Sequence, residues 1–135
     1  MTLKFPDATT NADKSPMIRM GEIHLTRAEA LAELNGINQE SIDLVNPVRV
    51  RAGLKAWALT DFTTKQALVD AILLERRKEL AFEGLRRMDL LRKGKALRTT
   101  GTTAAKAKFG DPFTILPIPQ REIDLNKELQ QNPGY

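Results

Sequence analysis

Thr64-Lys65-Gln66-Ala67-Leu68-Val69-Asp70-Ala71-Ile72-Leu73-Leu74-Glu75-Arg76-Arg77-Lys78-Glu79-Leu80-Ala81-Phe82-Glu83 is the stretch that decides the fold. Thr63 or Thr64 supplies an N-cap, and good helix formers follow without glycine or proline until Gly84, which ends the helix or bends it. The run predicts a helix over 64–83. At 100° per residue, Leu68, Ala71, Ile72 and Phe82 share one stripe, and Glu75 and Glu79 fall in its middle. An isolated buried carboxylate is very costly, so each must find a cationic partner.

Upstream, a helix over 39–52 is expected, with Pro47 kinking or breaking it and Gly53 as its stop. Residues 54–62 read as a connection anchored on the core by Trp57, the only tryptophan. Before that, a helix over 16–35 starts at Ser15 as N-cap with Pro16 in its first turn, and Gly36 closes it. Its core face is expected to be Met20, Ile23, Leu31 and Leu34, with Arg27 in the middle. The simplest satisfaction of these charges pairs Arg27 with Glu75 or Glu79. Arg49, Arg51, Arg76 and Arg86 are the other available cations, since a guanidinium fork binds a carboxylate bidentately. The expected structural ion-pair set is Arg27, Glu75, Glu79 and Arg86.

Downstream, a short helix over 85–93 stops at Gly94, and 98–108 reads as a Thr/Ala/Lys/Gly-rich surface loop. Pro112, Pro117 and Pro119 exclude regular helix or central strand over 111–119, apart from one turn after Pro119. Residues 1–15 read as an extended lead-in. The expected architecture is all-α: helix pairs 16–52 and 64–93 of tetratricopeptide type, closed by an irregular proline-rich strap over 111–135.

The 135 residues suit one domain, 16–135, with 41% hydrophobic and 28% charged residues, a soluble globular balance. Net charge is +4, and the denser basic run over 76–98 reads as an ion-paired or solvated face. It contains only Phe82 as an aromatic, which argues against nucleic acid. No cysteine is present, so disulfides, Cys-based zinc and thiol nucleophiles are excluded. His24 alone cannot build a histidine-rich metal site, and no phosphate-binding glycine loop or G-x-S-x-G element occurs. No catalytic residue, metal or cofactor is expected. Residues 1–6 lack the apolar core of a signal peptide.

Four blocks resemble the C-terminal region of the SusD/RagB family. Arg19-Met20-Gly21-Glu22-Ile23-His24-Leu25-Thr26-Arg27-Ala28-Glu29-Ala30 is similar to its "R-x-x-E-x-x-L-x-R-A-E-A" helix. Asn46-Pro47-Val48-Arg49-Val50-Arg51-Ala52-Gly53-Leu54 is similar to "N-x-V-R-x-R-A-G-L". The segment 72–90 resembles "I-x-x-E-R-x-x-E-x-x-x-E-G-x-R-x-x-D-L", and Leu116-Pro117-Ile118-Pro119 through Gln130-Gln131-Asn132-Pro133-Gly134-Tyr135 resembles the closing "P-I-P … Q-N-P-G-Y". Pro47, Leu85, Met88 and Lys93 depart from the usual pattern.

The resemblance implies a non-catalytic, lipid-anchored protein on the outer face of the outer membrane of Bacteroidetes-type bacteria. It implies a glycan or other nutrient ligand, and delivery to a SusC-like TonB-dependent transporter as partner. It also implies that residues 1–135 begin inside a longer domain. Trp57 is the candidate sugar-stacking residue, ahead of Phe109, Phe113 and Tyr135. The competing expectation is a helical scaffold with no ligand of its own, whose exposed apolar patch leads to self-association of the chain.

Overall fold

The computed structural model describes residues 4, 6–7, 9–10, 12–13, 17–101 and 107–135. The expected cap at Ser15-Pro16 and the middle of the 98–108 loop lie outside these residues. In chain order the helices are α1 (Met20–Asn35), α2 (Gln39–Arg51), α3 (Lys65–Glu79), α4 (Arg86–Arg92) and α5 (Gln120–Leu125), with 3₁₀ turns at Leu59–Asp61 and Pro112–Thr114. No strand occurs among the described residues. The chain divides into two compact units, Met1–Glu79 and Leu80–Tyr135.

In the first unit α1 packs against both α2 and α3. The core is Leu25, Ala28 and Ala32 from α1, Ile42, Val45 and Val48 from α2, and Leu68, Val69, Ile72 and Leu73 from α3, with Leu44, Trp57 and Phe62 packed against it. The face α1 buries is therefore not the expected one. Gly21, Leu25, Ala28, Glu29 and Ala32 go inside, while Met20, Ile23 and Leu34 are 65%, 47% and 82% exposed. Both sides of α1 carry apolar residues, and the side with glycine and alanines wins because it lets two neighbouring helices approach closely. Arg27 moves outward with the losing face.

The α1–α2 connection is built from backbone-directed side chains. Gly36 ends α1 at φ +71°, with its N–H donated to the Ala32 carbonyl. Asn38 caps α2 by accepting from the Ser41 N–H at 2.9 Å, and its amide donates to the Gly36 carbonyl at 2.9 Å. Ser41 is fully buried and donates to the Ala28 carbonyl at 3.0 Å. α2 runs unbroken through Pro47 to Arg51. A mid-helix proline costs about 3 kcal/mol. Here Pro47 and Asp43, whose carbonyl loses its helical partner, are both exposed, while Val45 and Val48 stay buried on the other side.

α3 ends at Glu79, not at residue 83. The Glu79 carbonyl is taken by the side chains of Lys4 and Arg19, so the helical ladder stops there. Phe82 follows in the left-handed region, φ +67°, and is 77% exposed, so it does not extend the Leu68–Ile72 stripe.

The second unit has short helices and few buried residues: Leu80, Asp89, Ala107 and Thr114. Arg92 bonds the buried Asp89 carboxylate within α4 at 2.7 Å, and Arg87 donates to the Thr114 carbonyl. The tail is held by side chains acting on backbone. The Gln131 amide accepts from the Ile118 N–H at 2.8 Å and donates to the Ile118 carbonyl at 2.9 Å. Asn132 donates to the Leu116 carbonyl at 2.7 Å, and the Tyr135 hydroxyl to that of Ile115 at 3.0 Å. Phe113 and Tyr135 meet edge to face, with centroids 5.0 Å apart. Gly134 sits at φ +94°, and a Cβ there would come within 3.2 Å of Pro112.

Candidate functional site

Two carboxylates on α3 organise the charged interior of the first unit. Glu75 is almost fully buried. It accepts from Arg49 at 2.6 Å and from Lys78 at 3.0 Å. Arg49 also donates to the Lys55 carbonyl at 2.9 Å, and its guanidinium carbon lies 4.5 Å from the Trp57 ring centroid. Glu79 sits between Arg19, at 2.8 Å, and Arg51, at 2.6 Å.

Its carboxylate lies over the first turn of α1: a Cβ built on Gly21 would meet Glu79 Oε1 at 2.9 Å. Negative charge is favourable at a helix start. Burial pushes the Glu79 carboxyl up, but hydrogen bonds and charge from Arg51 and Arg19 outweigh it and hold the group below the ordinary value near 4.5. A carboxylate held ionised by two guanidiniums does not serve as a general acid at neutral pH.

Arg27, expected to pair with Glu75 or Glu79, instead pairs with Glu40 on the surface. Arg86 opens α4 in the second unit. The cations found at the two glutamates are Arg19, Arg49, Arg51 and Lys78. Arg76, also buried, crosses to α1 and donates to Thr26 Oγ1 at 2.8 Å.

Trp57 is held on every side the structure records. Its backbone N–H and carbonyl are clamped by the Asn46 amide at 2.7 and 3.0 Å. Phe62 meets its ring edge to face at 5.0 Å, and Arg49 covers one face. The ring thus lies against the guanidinium of the Glu75–Arg49 pair. Among the described residues, the exposed aromatic side chains are Phe82, Phe109 and Tyr135 of the second unit, 77%, 59% and 51% exposed.

No group of three or more His, Cys, Asp or Glu residues among those described could hold a metal ion. No described helix is long and apolar enough to cross a membrane.

Fold and site together define a helical-hairpin domain clamped by buried guanidinium–carboxylate clusters and followed by a strapped, basic C-terminal unit. The SusD family model matches residues 2–135, and the chain belongs to that family. It is 32% identical over 133 residues to the starch-binding protein SusD of Bacteroides thetaiotaomicron, a match covering 89% of this chain and 21% of that protein. It is 34% identical over 125 residues to SusD-like protein P38 of Formosa agariphila, covering 88% and 24%.

Among solved structures, a SusD superfamily protein from Parabacteroides distasonis superposes with a TM-score of 0.71 at 30% identity, covering 85% of this chain and 26% of the other. A SusD homolog from Bacteroides thetaiotaomicron gives 0.66 at 27%, covering 88% and 26%. The chain thus spans about a fifth to a quarter of the relatives it matches.

Proposed function

We propose that this chain is the C-terminal part of a non-catalytic, cell-surface glycan-binding protein that passes oligosaccharide to a SusC-like TonB-dependent transporter at the outer membrane. The observation that carries this proposal is the family match across residues 2–135, a span that holds the Arg19–Glu79–Arg51 and Arg49–Glu75 clusters. A ligand-carrying protein needs a rigid frame, and the buried clusters supply it. The first unit is the frame, and ligand contact falls to the open aromatic surface of the second.

A glycan array probed with the purified chain, beside a full-length relative, tests the proposal. Selective binding of one oligosaccharide class by both is the expected result. Silence from the chain across a panel that the relative reads would assign all ligand contact to other parts of the family fold.

A second proposal is carried by α1. Its exposed Met20, Ile23 and Leu34 form an apolar face suited to pairing with a second copy of the chain. A concentration-dependent dimer in sedimentation experiments, lost in Ile23→Lys, would support a scaffold that self-associates. A monomer at every concentration would exclude it.

A further inference from the structure

The outward face of α1 has a regular pattern. Met20, Ile23, Arg27, Ala30 and Leu34 follow one another at alternating spacings of three and four residues, and all five are exposed. That spacing keeps them within one narrow stripe along the helix, and it is the spacing with which one helix packs lengthwise on another. Arg27 is the one polar member. It is already bonded to Glu40 of α2, so covering the stripe would leave no charge unpaired. Met17 and Ile18, just ahead of the helix, are exposed too.

α3 presents a different face to solvent. Its exposed stripe is Gln66, Asp70, Leu74 and Arg77, in which only Leu74 is apolar. In stacks of helical hairpins each hairpin covers the apolar face of its neighbour, and the outer face of the last one is polar. By that rule α3 closes the stack on its side, whereas α1, which packs on both α2 and α3, does not close it on its own. The chain also matches only 21% of one relative and 24% of another. Most of each relative therefore lies outside the match, and a covering helix can come from there.

We infer that the Met20–Ile23–Ala30–Leu34 stripe is the docking face for a further helical hairpin, supplied by the part of a SusD-family protein that this chain does not match. The partner is an α-helix with its own apolar stripe, lying lengthwise along α1. The inference rests on the reading of this chain as one part of a longer protein, and it names the surface that joins that part to the rest. A second copy of the chain is the rival occupant. Two copies paired through the whole stripe about a two-fold axis would bring their Arg27 side chains together at its centre, a repulsion that a different helix avoids.

The chain has no cysteine, so one introduced thiol reports on each face. Ile23→Cys places it on the α1 stripe and Leu74→Cys on the α3 face. Each variant is labelled with a maleimide in two settings. One is the chain on its own, diluted until monomeric. The other is a cysteine-free fusion in which the chain replaces the region it matches in the starch-binding protein SusD of Bacteroides thetaiotaomicron. Retained starch binding marks the fusion as folded. Labelling of Ile23→Cys should slow by about tenfold or more in the fusion, because a covered thiol reacts only through local opening. Leu74→Cys should label at the same rate in both settings. As a second measurement, the unmatched part of that protein is added to the chain as a separate polypeptide. A one-to-one complex should form, and Ile23→Lys should weaken it by about tenfold or more.

A starch-binding fusion in which the Ile23→Cys thiol stays as reactive as in the chain alone would overturn the inference and leave the proposed function standing. Equal slowing of Ile23→Cys and Leu74→Cys would overturn it as well, since the α1 face would then have no preference. So would a homodimer of the chain that the added polypeptide does not displace. A fusion that binds no starch, with no complex between the separate polypeptides, would remove both the inference and the reading on which it rests.

Discussion

The two units of this chain are stabilised by different means. Met1–Glu79 buries ten apolar side chains in one cluster and carries 11 cationic and 11 anionic residues, so its net charge is zero. Leu80–Tyr135 has short helices, few buried residues and a tail tied down by Gln131, Asn132 and Tyr135 reaching backbone carbonyls. A unit that satisfies its own charges makes a good frame and a poor ligand surface. A unit with a net charge of +4 and exposed aromatics has the opposite character. The difference shows where a small domain keeps its stability and where it exposes chemistry.

The sharpest way to break this comparison is to remove one member of the buried cluster. Arg49→Ala leaves Glu75 with only Lys78 and strips the cover from Trp57. Truncating one partner of a buried ion pair costs about 3–5 kcal/mol. Chemical denaturation should show a loss of that size, most of the stability of a small domain. A change below about 1 kcal/mol would mean that the first unit is not clamped by this pair.

Glu79→Ala comes next. It strands Arg19 and Arg51, but Arg51 is largely exposed, so the loss should be smaller, about 2 kcal/mol. The same group fixes a pH dependence. Its carboxyl is depressed in the folded chain, so its contribution is fully present above the ordinary value near 4.5 and is lost as pH falls through the lower folded value. Acid titration should therefore destabilise the parent below about pH 4.5 more steeply than Glu79→Gln. Parallel acid curves would contradict the depressed carboxyl.

Gly21→Ala is a subtler probe of the same contact. The added methyl meets Glu79 Oε1, so the carboxylate must shift away from Arg19. A loss of about 1 kcal/mol is expected although alanine is the better helix former. A gain would show that the approach is loose. The smallest effect belongs to the second unit: Gln131→Ala removes the paired bonds to Ile118 and should cost about 1 kcal/mol, with α1–α3 untouched.

Much of the frame could be read from the sequence. That Glu75 and Glu79 need cations follows from carboxylates set in an apolar stripe. Which cations they take does not, because Arg49 lies 26 residues away from Glu75, and Arg19 lies 60 away from Glu79. Local periodicity carries no information about such pairings. α1 was misread for a related reason: Met20, Ile23, Leu31 and Leu34 are the bulkier apolar residues, but Gly21, Ala28 and Ala32 permit the closer packing. The end of α3 was hidden too, since side chains distant in sequence terminate it. The tail's path was legible in Pro117 and Pro119, while the Gln131–Ile118 pairing was not, because any amide could have made it.

Hydrogen exchange with and without an oligosaccharide that a full-length relative binds compares the two units in one experiment. Added protection should appear within Leu80–Tyr135, with exchange in α1, α2 and α3 unchanged. Protection centred on Trp57 and the α2–α3 connection, or none anywhere, would contradict the division into a frame and a ligand surface.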